Sequence, residues 1–504
     1  MNEAAHGCWR RRDVLIAAAS GVACAAMGPV AARAAAAGTG AADGEPPAEA
    51  GLERRLAQYA AGVRYTELPS DVVQACKRFL LDALGCSFAA VGTEPPVIAE
   101  ATYRRAFGAS GNATLVGSRR TIAAEGAVLV NGTLLRQLDL NDVYFGRDPA
   151  HPSEIIPAAI ACCEEVGRSG RDLIEAIVVG YEAEVRLGDA FAWGPRGMMA
   201  SSAAAYVAPL VAGKAWGLPV AQVVHAMGIS GPRQLTALAV NSGEISMMKS
   251  VGPAYTVMDA VFATRLAAAG LTGVSRSLEW LAANTPPKTA ESRIDLDAAH
   301  FLLGRVGLKR FPLQGELQAV AEAGVNLHAT LAERGASAAS IEEIRVEAYP
   351  ATLGRGVAEA EKYHPANRET ADHSLPVCLA MAVLDGDVSV RQFGAGRWHA
   401  ADVIALAQRV RVGVGQSLLA QMPQGRGTVI EVRMADGQVL RESVLVPEGD
   451  AARPMSRQAL ERKFRQFAEP VLGATEAGRL IDAVDHLEDI ADVRRFTRAL
   501  RPRA

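Results

Sequence analysis

The 504-residue sequence is poor in aromatic residues, in net charge and in cysteine. A formal net charge of −3 provides no polycationic surface, so nucleic acid is not an expected partner. Seven cysteines without a CxxC pair are too few for a disulfide scaffold and predict no structural zinc site. No GxGxxG turn follows a strand and no Walker sequence occurs, so the sequence implies no nucleotide cofactor.

Small and apolar residues dominate the chain instead. Half of the residues are hydrophobic and 21% are charged, which is typical of a helical globular protein and excludes a disordered or collagen-like chain. At about 150 residues per domain, the length allows two or three domains.

The N-terminus has the layout of a twin-arginine leader. Residues 10–12 are arginines, an Ala-rich apolar stretch follows, and Ala32 and Ala34 provide a small-residue cleavage site. The apolar stretch is too short for a membrane span, which needs about 20 strongly apolar residues. We therefore predict a signal peptide over residues 1–37, a linker over 38–50 and a periplasmic protein exported in folded form. An uncleaved Ala-rich extension on a cytoplasmic protein is the alternative.

The hydrophobic periodicity changes along the chain. Apolar residues recur at three- and four-residue spacing over residues 51–290, which predicts a helical domain. Residues 300–450 add alternating runs around Val346 and Val412 and a hairpin turn at Asp436-Gly437, which predicts an α+β lid domain. Helical patterns return over 455–504 and are expected to pack back on the first domain. The predicted fold is mainly α, with a large all-helical domain formed from both chain ends and a smaller α+β lid.

One loop between two predicted helices concentrates polar chemistry. Asp139, Asn141, Asp142, Tyr144 and His151 occur within 13 residues. Loops on rigid helical scaffolds are favoured places for catalysis. The alternative is structural: Asp139 and Ser153 would cap helices and His151 would be an interior histidine.

Five stretches of the sequence, residues 80–86, 131–144, 150–153, 249–273 and 368–376, resemble the MmgE/PrpD family. This family includes 2-methylcitrate dehydratase and cis-aconitate decarboxylase, and the resemblance extends from about residue 52 to the C-terminus. The sequences of residues 138–144 and 368–376 are more similar to those of the methylcitrate dehydratase branch. The resemblance implies a helical domain with a lid and a homodimer.

The resemblance also implies roles for individual residues. Asp139 and His151 match acid/base positions and Lys249 matches an active-site lysine, here expected to clamp a carboxylate. Such chemistry removes a proton beside a carboxylate and needs cations and an acid–base pair, but no metal. We expect Asn141, Asp142 and Tyr144 to orient the substrate, Arg147 to be a second clamp or a solvated side chain, and Lys309 to contribute from the lid.

The sequence departs from the family pattern at several places. Val143 stands where relatives usually have Thr, no histidine occurs around Met198, and Gly252 and Glu316 stand at positions that often hold histidine. We interpret His373 as a residue that positions the lid, beside helix caps.

These residues lead to a cofactor-independent lyase as the leading hypothesis. It would be a hydro-lyase similar to 2-methylcitrate dehydratase, acting on a small di- or tricarboxylate. An isomerase, epimerase or decarboxylase of a related polycarboxylate is the second reading. A catalytically weakened periplasmic carboxylate-binding protein is the third, favoured by the missing histidine near Met198.

Overall fold

The computed structural model describes residues 51–286, 294–296, 300–354, 356–421 and 426–503. The predicted signal peptide and linker lie outside these residues. Within the described part, no helix is both long and apolar enough to cross a membrane.

Ten helices and two short hairpins form the first part of the described chain. The helices are α1 (Leu52–Gly62), α2 (Ser70–Ala89), α3 (Glu94–Phe107), α4 (Ala124–Arg136), α5 (Ile156–Val166), α6 (Gly170–Ala190), α7 (Ala204–Trp216), α8 (Val220–Ser230), α9 (Met248–Ala268) and α10 (Ser277–Asn284). The hairpins pair β1 (Ala113–Thr114) with β2 (Thr121–Ile122) and β3 (Tyr144–Phe145) with β4 (Pro149–Ala150).

Helices and a four-stranded sheet alternate in the second part. They are α11 (Gln318–Glu333), β5 (Ile341–Ala348), α12 (Pro350–Leu353), α13 (Arg368–Ala371), α14 (Leu375–Asp385), α15 (Val390–Gly394), α16 (Ala401–Ala407), β6 (Val410–Val414), β7 (Thr428–Met434) and β8 (Val439–Val444). The strand order is β6-β5-β7-β8, with β5 and β6 parallel and the other pairs antiparallel. The turn between β7 and β8 contains Gly437 at φ 82°, the left-handed conformation that glycine adopts without a steric cost.

The chain ends with α17 (Arg457–Leu472), α18 (Ala474–Asp485) and α19 (Arg494–Arg498). Buried apolar residues of these helices join those of α1–α10 in one hydrophobic core, whereas residues between Phe311 and Val444 form a second core. The mainly α prediction is confirmed.

Helix α17 ties the C-terminus to the loop after α4. Lys463 forms a 2.6 Å ion pair with Asp82 of α2 and donates hydrogen bonds to the carbonyl oxygens of Leu140 and Lys309. The carboxyl of Asp82 is fully buried, so Lys463 supplies its countercharge. One ammonium group therefore connects three segments that are distant in sequence.

We predict that Lys463→Met lowers the free energy of unfolding by about 3 kcal/mol, because it leaves a buried carboxylate and two carbonyl oxygens without their donor. Urea denaturation followed by circular dichroism measures this change. Arg462→Met, at the exposed neighbouring position, is the control and should change stability by less than about 0.5 kcal/mol. Equal losses in the two variants would contradict the assignment.

Candidate active site

One cavity is lined by residues from both parts of the chain, the part that contains the first core and the part that contains the second. Its wall comprises Arg136, Asp139, Val143, Pro149, His151, Glu154, Met199, Ala200, Ser201, Leu238, Asn241 and Lys249 from the first part, and Gln314, Gly315, Glu316 and His373 from the second. Asp139, His151 and Lys249 are thus brought together from three separate elements.

Asp139 is the charge centre of the cavity. It follows α4 with φ 50°, a left-handed conformation that aspartate adopts more readily than most residues. Its Oδ1 lies 2.7 Å from Lys309 Nζ and its Oδ2 lies 3.0 Å from Lys249 Nζ. Burial by itself would raise the pKa of Asp139, but the charges of Lys249 and Lys309 hold this pKa well below its usual value. Asp139 is therefore a stable carboxylate and a weak base.

A second acid and a histidine extend this cluster from the second part of the chain. His373 Nδ1 lies 2.5 Å from Asp372 Oδ1, and Nε2 lies 3.7 Å from Asp139 Oδ2. Burial lowers the pKa of His373 and the charge of Lys249 lowers it further, against the effect of Asp372. A neutral His373 donates Nδ1–H to Asp372. The sequence suggested that His373 positions the lid, and the structure also places this residue in the cavity wall. The adjacent Asp372 was the signal in the sequence for such a site.

Asp139, Asp372 and His373 also form a group with metal-ligand geometry, since their ligand atoms lie within 4.8 Å of one another. Lys249 Nζ, however, lies 3.0 Å from Asp139 Oδ2 and 3.9 Å from Asp372 Oδ1. A divalent cation bound there would meet this ammonium group at short range. The three side chains are therefore better suited to binding the ammonium group of Lys249 than to binding a metal ion.

His151 has a defined tautomer. Its Nδ1 lies 2.7 Å from the carbonyl oxygen of Asp142, so Nδ1 carries the proton and Nε2 has the free lone pair. Burial, followed by the charges of Arg136 and Lys309, holds the pKa of His151 well below its usual value. This neutral imidazole in the cavity wall has the properties of a proton acceptor.

Asn141 and Asp142 lie outside the cavity wall. Asp142 accepts hydrogen bonds from the hydroxyls of Ser153 and Tyr181 at 2.6 and 2.7 Å. Burial raises the pKa of Asp142 to about 6, although these hydrogen bonds oppose the shift. Asn141 accepts from Arg136 and donates to Ser153. In this structure both residues orient the loop and the side chains that line the cavity.

Three further predicted substrate-binding residues are also placed outside the cavity wall. Tyr144 donates its hydroxyl to Asp189 at 2.5 Å, and Arg147 is exposed and donates to the carbonyl oxygen of Ala190. Lys309 contacts the cavity indirectly, through its ion pair with Asp139.

Sequence reasoning missed Arg136 and Glu154. Arg136 Nε lies 3.0 Å from Glu154 Oε1, and the same guanidinium donates to Asn141 and lies 3.8 Å from Asp139. Burial raises the pKa of Glu154 to about 7, and the charge of Arg136 opposes the shift. Glu154 follows the His-Pro-Ser segment directly, and this adjacency was the only signal in the sequence.

Several buried polar atoms in the cavity wall have no hydrogen-bond partner among the described residues. They are the acceptors Ser201 Oγ, Asn241 Oδ1, Gln314 Oε1 and both carboxyl oxygens of Glu154, and the donors Arg136 Nε and Lys249 Nζ. Of these, Arg136 Nε and Glu154 Oε1 form the 3.0 Å ion pair described above, and Lys249 Nζ pairs with Asp139. Buried polar atoms are almost always paired in proteins, so a concentration of unpaired ones around one cavity indicates a place for a polar ligand.

Three of the places at which the sequence departs from the family pattern lie in the cavity wall. Met199 and Ala200 line it in the segment that lacks a histidine, Glu316 lines it from the second core, and Val143 presents an apolar surface. The wall near residues 198–200 therefore contributes no imidazole.

The fold and this cavity define a mainly helical protein with a buried acid–base cluster between two cores. The model of the MmgE/PrpD N-terminal domain matches residues 54–282, and that of the MmgE/PrpD C-terminal domain matches residues 311–489. The chain belongs to the MmgE/PrpD family.

Curated relatives cover most of the chain. Cis-aconitate decarboxylase of Mus musculus is 26% identical over 472 residues, which is 87% of this chain and 91% of the relative. Cis-aconitate decarboxylase of Aspergillus terreus is 23% identical over 485 residues, 88% of this chain and 95% of the relative. The 2-methylcitrate dehydratase-like protein oryR of Aspergillus oryzae is 23% identical over 438 residues, 81% of this chain and 87% of the relative.

We predict that Asp139→Asn lowers the free energy of unfolding at pH 7 by about 3–5 kcal/mol, because Lys249 and Lys309 lose the carboxylate between them. A carboxyl whose pKa is depressed in the folded state stabilises the protein above its unfolded pKa, near 4, and loses this effect as the pH falls further. The wild-type advantage should therefore shrink below about pH 4. Urea unfolding at several pH values measures it.

Asp436→Asn, in the exposed turn between β7 and β8, is the control for this prediction. It should leave both the stability and its acid dependence near wild type. A pH-independent difference between wild type and Asp139→Asn would overturn the assigned charge state.

Proposed function

We propose that this protein is a cofactor-independent lyase that acts on a small carboxylate by proton transfer. Within this class we favour a hydro-lyase similar to 2-methylcitrate dehydratase, with a hydroxylated di- or tricarboxylate as substrate. The reaction removes a proton from the carbon beside a carboxylate and then expels a hydroxyl group from the neighbouring carbon. Family membership and the buried acid–base cluster support this proposal.

Two acceptor atoms without hydrogen-bond donors in the cavity wall are the reason for proposing a hydroxylated substrate. Asn241 Oδ1 and Gln314 Oε1 are buried acceptors without a donor among the described residues. A substrate hydroxyl supplies such a donor, whereas ionised carboxylates and an alkene supply none. Leaving buried acceptors unpaired is costly, so these two atoms favour a hydroxy acid over an unsaturated acid.

We assign the abstraction of the substrate proton to His151. Its Nε2 has the free lone pair, because Nδ1–H is committed to the carbonyl oxygen of Asp142. Asp139 is a poorer base, since the two lysine ammonium groups stabilise its ionised form. In this proposal Asp139 holds Lys249 at the cavity wall, and His151 takes the proton.

Lys249 and Arg136 bind the substrate carboxylate. When the neighbouring carbon loses its proton, negative charge spreads onto this carboxylate, and fixed cations in a water-poor site stabilise it strongly. Both side chains are buried and line the cavity. The Nζ atom of Lys249 makes no well-aligned hydrogen bond among the described residues, so its protons can turn towards a substrate.

A decarboxylase is the second candidate, because several of the curated relatives are named cis-aconitate decarboxylase. The same cations would stabilise the carbanion left by loss of CO2. Product analysis separates the two reactions.

We expect proton exchange and water loss with at least one compound from a panel of citrate-like acids and smaller hydroxy-dicarboxylates in deuterated buffer. His151→Gln and Lys249→Met should each lower the exchange rate by about 10²–10⁴-fold, the usual contribution of a positioned acid or base. Because the pKa of His151 is depressed, the exchange rate should be constant above about pH 6.5 and fall only in acid. NMR follows both exchange and products.

Arg147→Met, at an exposed position outside the cavity wall, is the control and should keep wild-type rates. Release of CO2 without water loss would replace the dehydratase by the decarboxylase. If a compound protects the protein against thermal unfolding but never exchanges a proton, the hypothesis of a carboxylate-binding protein would be favoured.

We also propose that a second copy of this chain covers the outer face of α9. Met248, Tyr255 and Phe262 follow one another at seven-residue spacing, and their side chains are 46%, 48% and 49% exposed. This spacing places them on one side of the helix, and exposed apolar stripes of this kind mark protein interfaces. The helix begins at Met248 and Lys249 lies in its first turn, so dimer formation would support the site.

We expect light scattering of wild type to give twice the mass of one chain, and Tyr255→Glu/Phe262→Glu to give one. Each buried glutamate would have to lose its hydration without a partner, which opposes association. Val439→Glu changes an exposed residue of β8 and should leave the dimer intact. A monomeric wild type would refute this proposal.

A further inference from the structure

The proposed elimination requires a proton donor as well as a base, because hydroxide is a poor leaving group unless it is protonated. His151 serves as the base, and Asp139 is held ionised by two lysines. His373 commits Nδ1–H to Asp372. This leaves the carboxyl groups of Glu154 and Glu316 in the wall as candidates for the donor.

Glu154 has the position that this role demands. It lies in the short 3-10 helix Pro152–Ile155, directly after His151, and its backbone N–H donates to the carbonyl oxygen of His151 at 2.9 Å. Residues three apart in such a turn lie above one another, so both side chains can reach the cavity. Both residues line it. One turn of the chain thus presents an imidazole and a carboxyl group to the same ligand.

The carboxyl group of Glu154 has unused hydrogen-bonding capacity. The residue is 3% exposed, and neither carboxyl oxygen has a well-formed hydrogen bond among the described residues. Arg136 Nε lies 3.0 Å from Oε1, but this guanidinium is shared with Asn141 and Asp139. A buried carboxyl group with unfilled hydrogen-bonding capacity in a cavity wall is costly without a ligand.

The surroundings of Glu154 favour its protonated form. Burial raises the pKa of Glu154 to about 7, since Arg136 compensates only part of the desolvation. Glu184 of α6 is also buried, and neither of its carboxyl oxygens has a hydrogen bond among the described residues. Burial, followed by the negative charges of Glu154 and Asp142, raises the pKa of Glu184 well above its usual value.

We propose that Glu154 is the general acid that protonates the departing hydroxyl group. His151 Nε2 first removes the proton beside the substrate carboxylate, and the C–H electron pair becomes the enolate held by Lys249 and Arg136. This pair then forms the C=C bond as the C–O bond breaks, and the leaving oxygen takes the proton of Glu154. The products are an alkene and water, with His151 protonated and Glu154 ionised until solvent restores both. The inference rests on the hydro-lyase proposed above.

Glu154→Gln tests this role, because the amide keeps an oxygen for Arg136 but has no acidic proton. We expect substrate proton exchange to remain within about threefold of wild type, while water elimination falls by at least about 10²-fold. The elimination rate of wild type should decline as the pH rises through about 7, and Glu154→Gln should lack this decline. Glu154→Asp retains a carboxyl group and should recover part of the elimination rate.

Glu164→Gln is the matched control, since Glu164 is a buried glutamate of α5 that binds Thr114 and Thr497 outside the cavity. It should keep wild-type exchange and elimination, and circular dichroism verifies that each variant is folded. Wild-type elimination in Glu154→Gln, or equal loss of exchange and elimination, would overturn the general-acid role. If wild type neither exchanges nor eliminates with any compound of the panel, the hydro-lyase proposal itself fails.

Discussion

The buried carboxylate of Asp139 is the interaction on which the site depends. It pairs with Lys249 at the start of α9 and with Lys309 at the passage from the first core to the second. Two ammonium groups can be buried at low cost only if a carboxylate lies between them. The orientation of Lys249 and one of the links between the two parts of the chain therefore follow from this charge arrangement.

Because of this arrangement, the residue that anchors the two lysines is not one of the residues proposed to transfer protons. A carboxylate stabilised by two cations has little tendency to take a proton, so the proposed proton transfer is assigned to His151 and Glu154 instead. Both come from the segment after β4, and the carbonyl oxygen of Asp142 fixes the imidazole. The proposed chemistry thus resides in one turn of the chain, supported by charges from distant segments.

The sequence predicted the architecture better than the site. Period-two runs around Val346 and Val412 predicted strands that the structure contains as β5 and β6, because local alternation reports directly on the faces of a sheet. Asp139, His151 and Lys249 were chosen from composition and resemblance and do line one cavity. Asn141 and Asp142 have the same polar character but point into a hydrogen-bond network behind the wall, which no sequence spacing reveals. Arg136 and Glu154 were missed because an ion pair between a helix end and a later turn depends on tertiary packing.

The division of the cavity wall between two hydrophobic cores has a consequence for how the protein loses activity. Each core has its own set of buried apolar side chains, and most of the helical structure belongs to one or the other. A slight separation of the cores would remove Gln314, Glu316 and His373 from the wall without melting any helix. Inactivation by heat or mild denaturant can therefore precede the loss of helical circular dichroism, and a preparation with a native spectrum can still be inert.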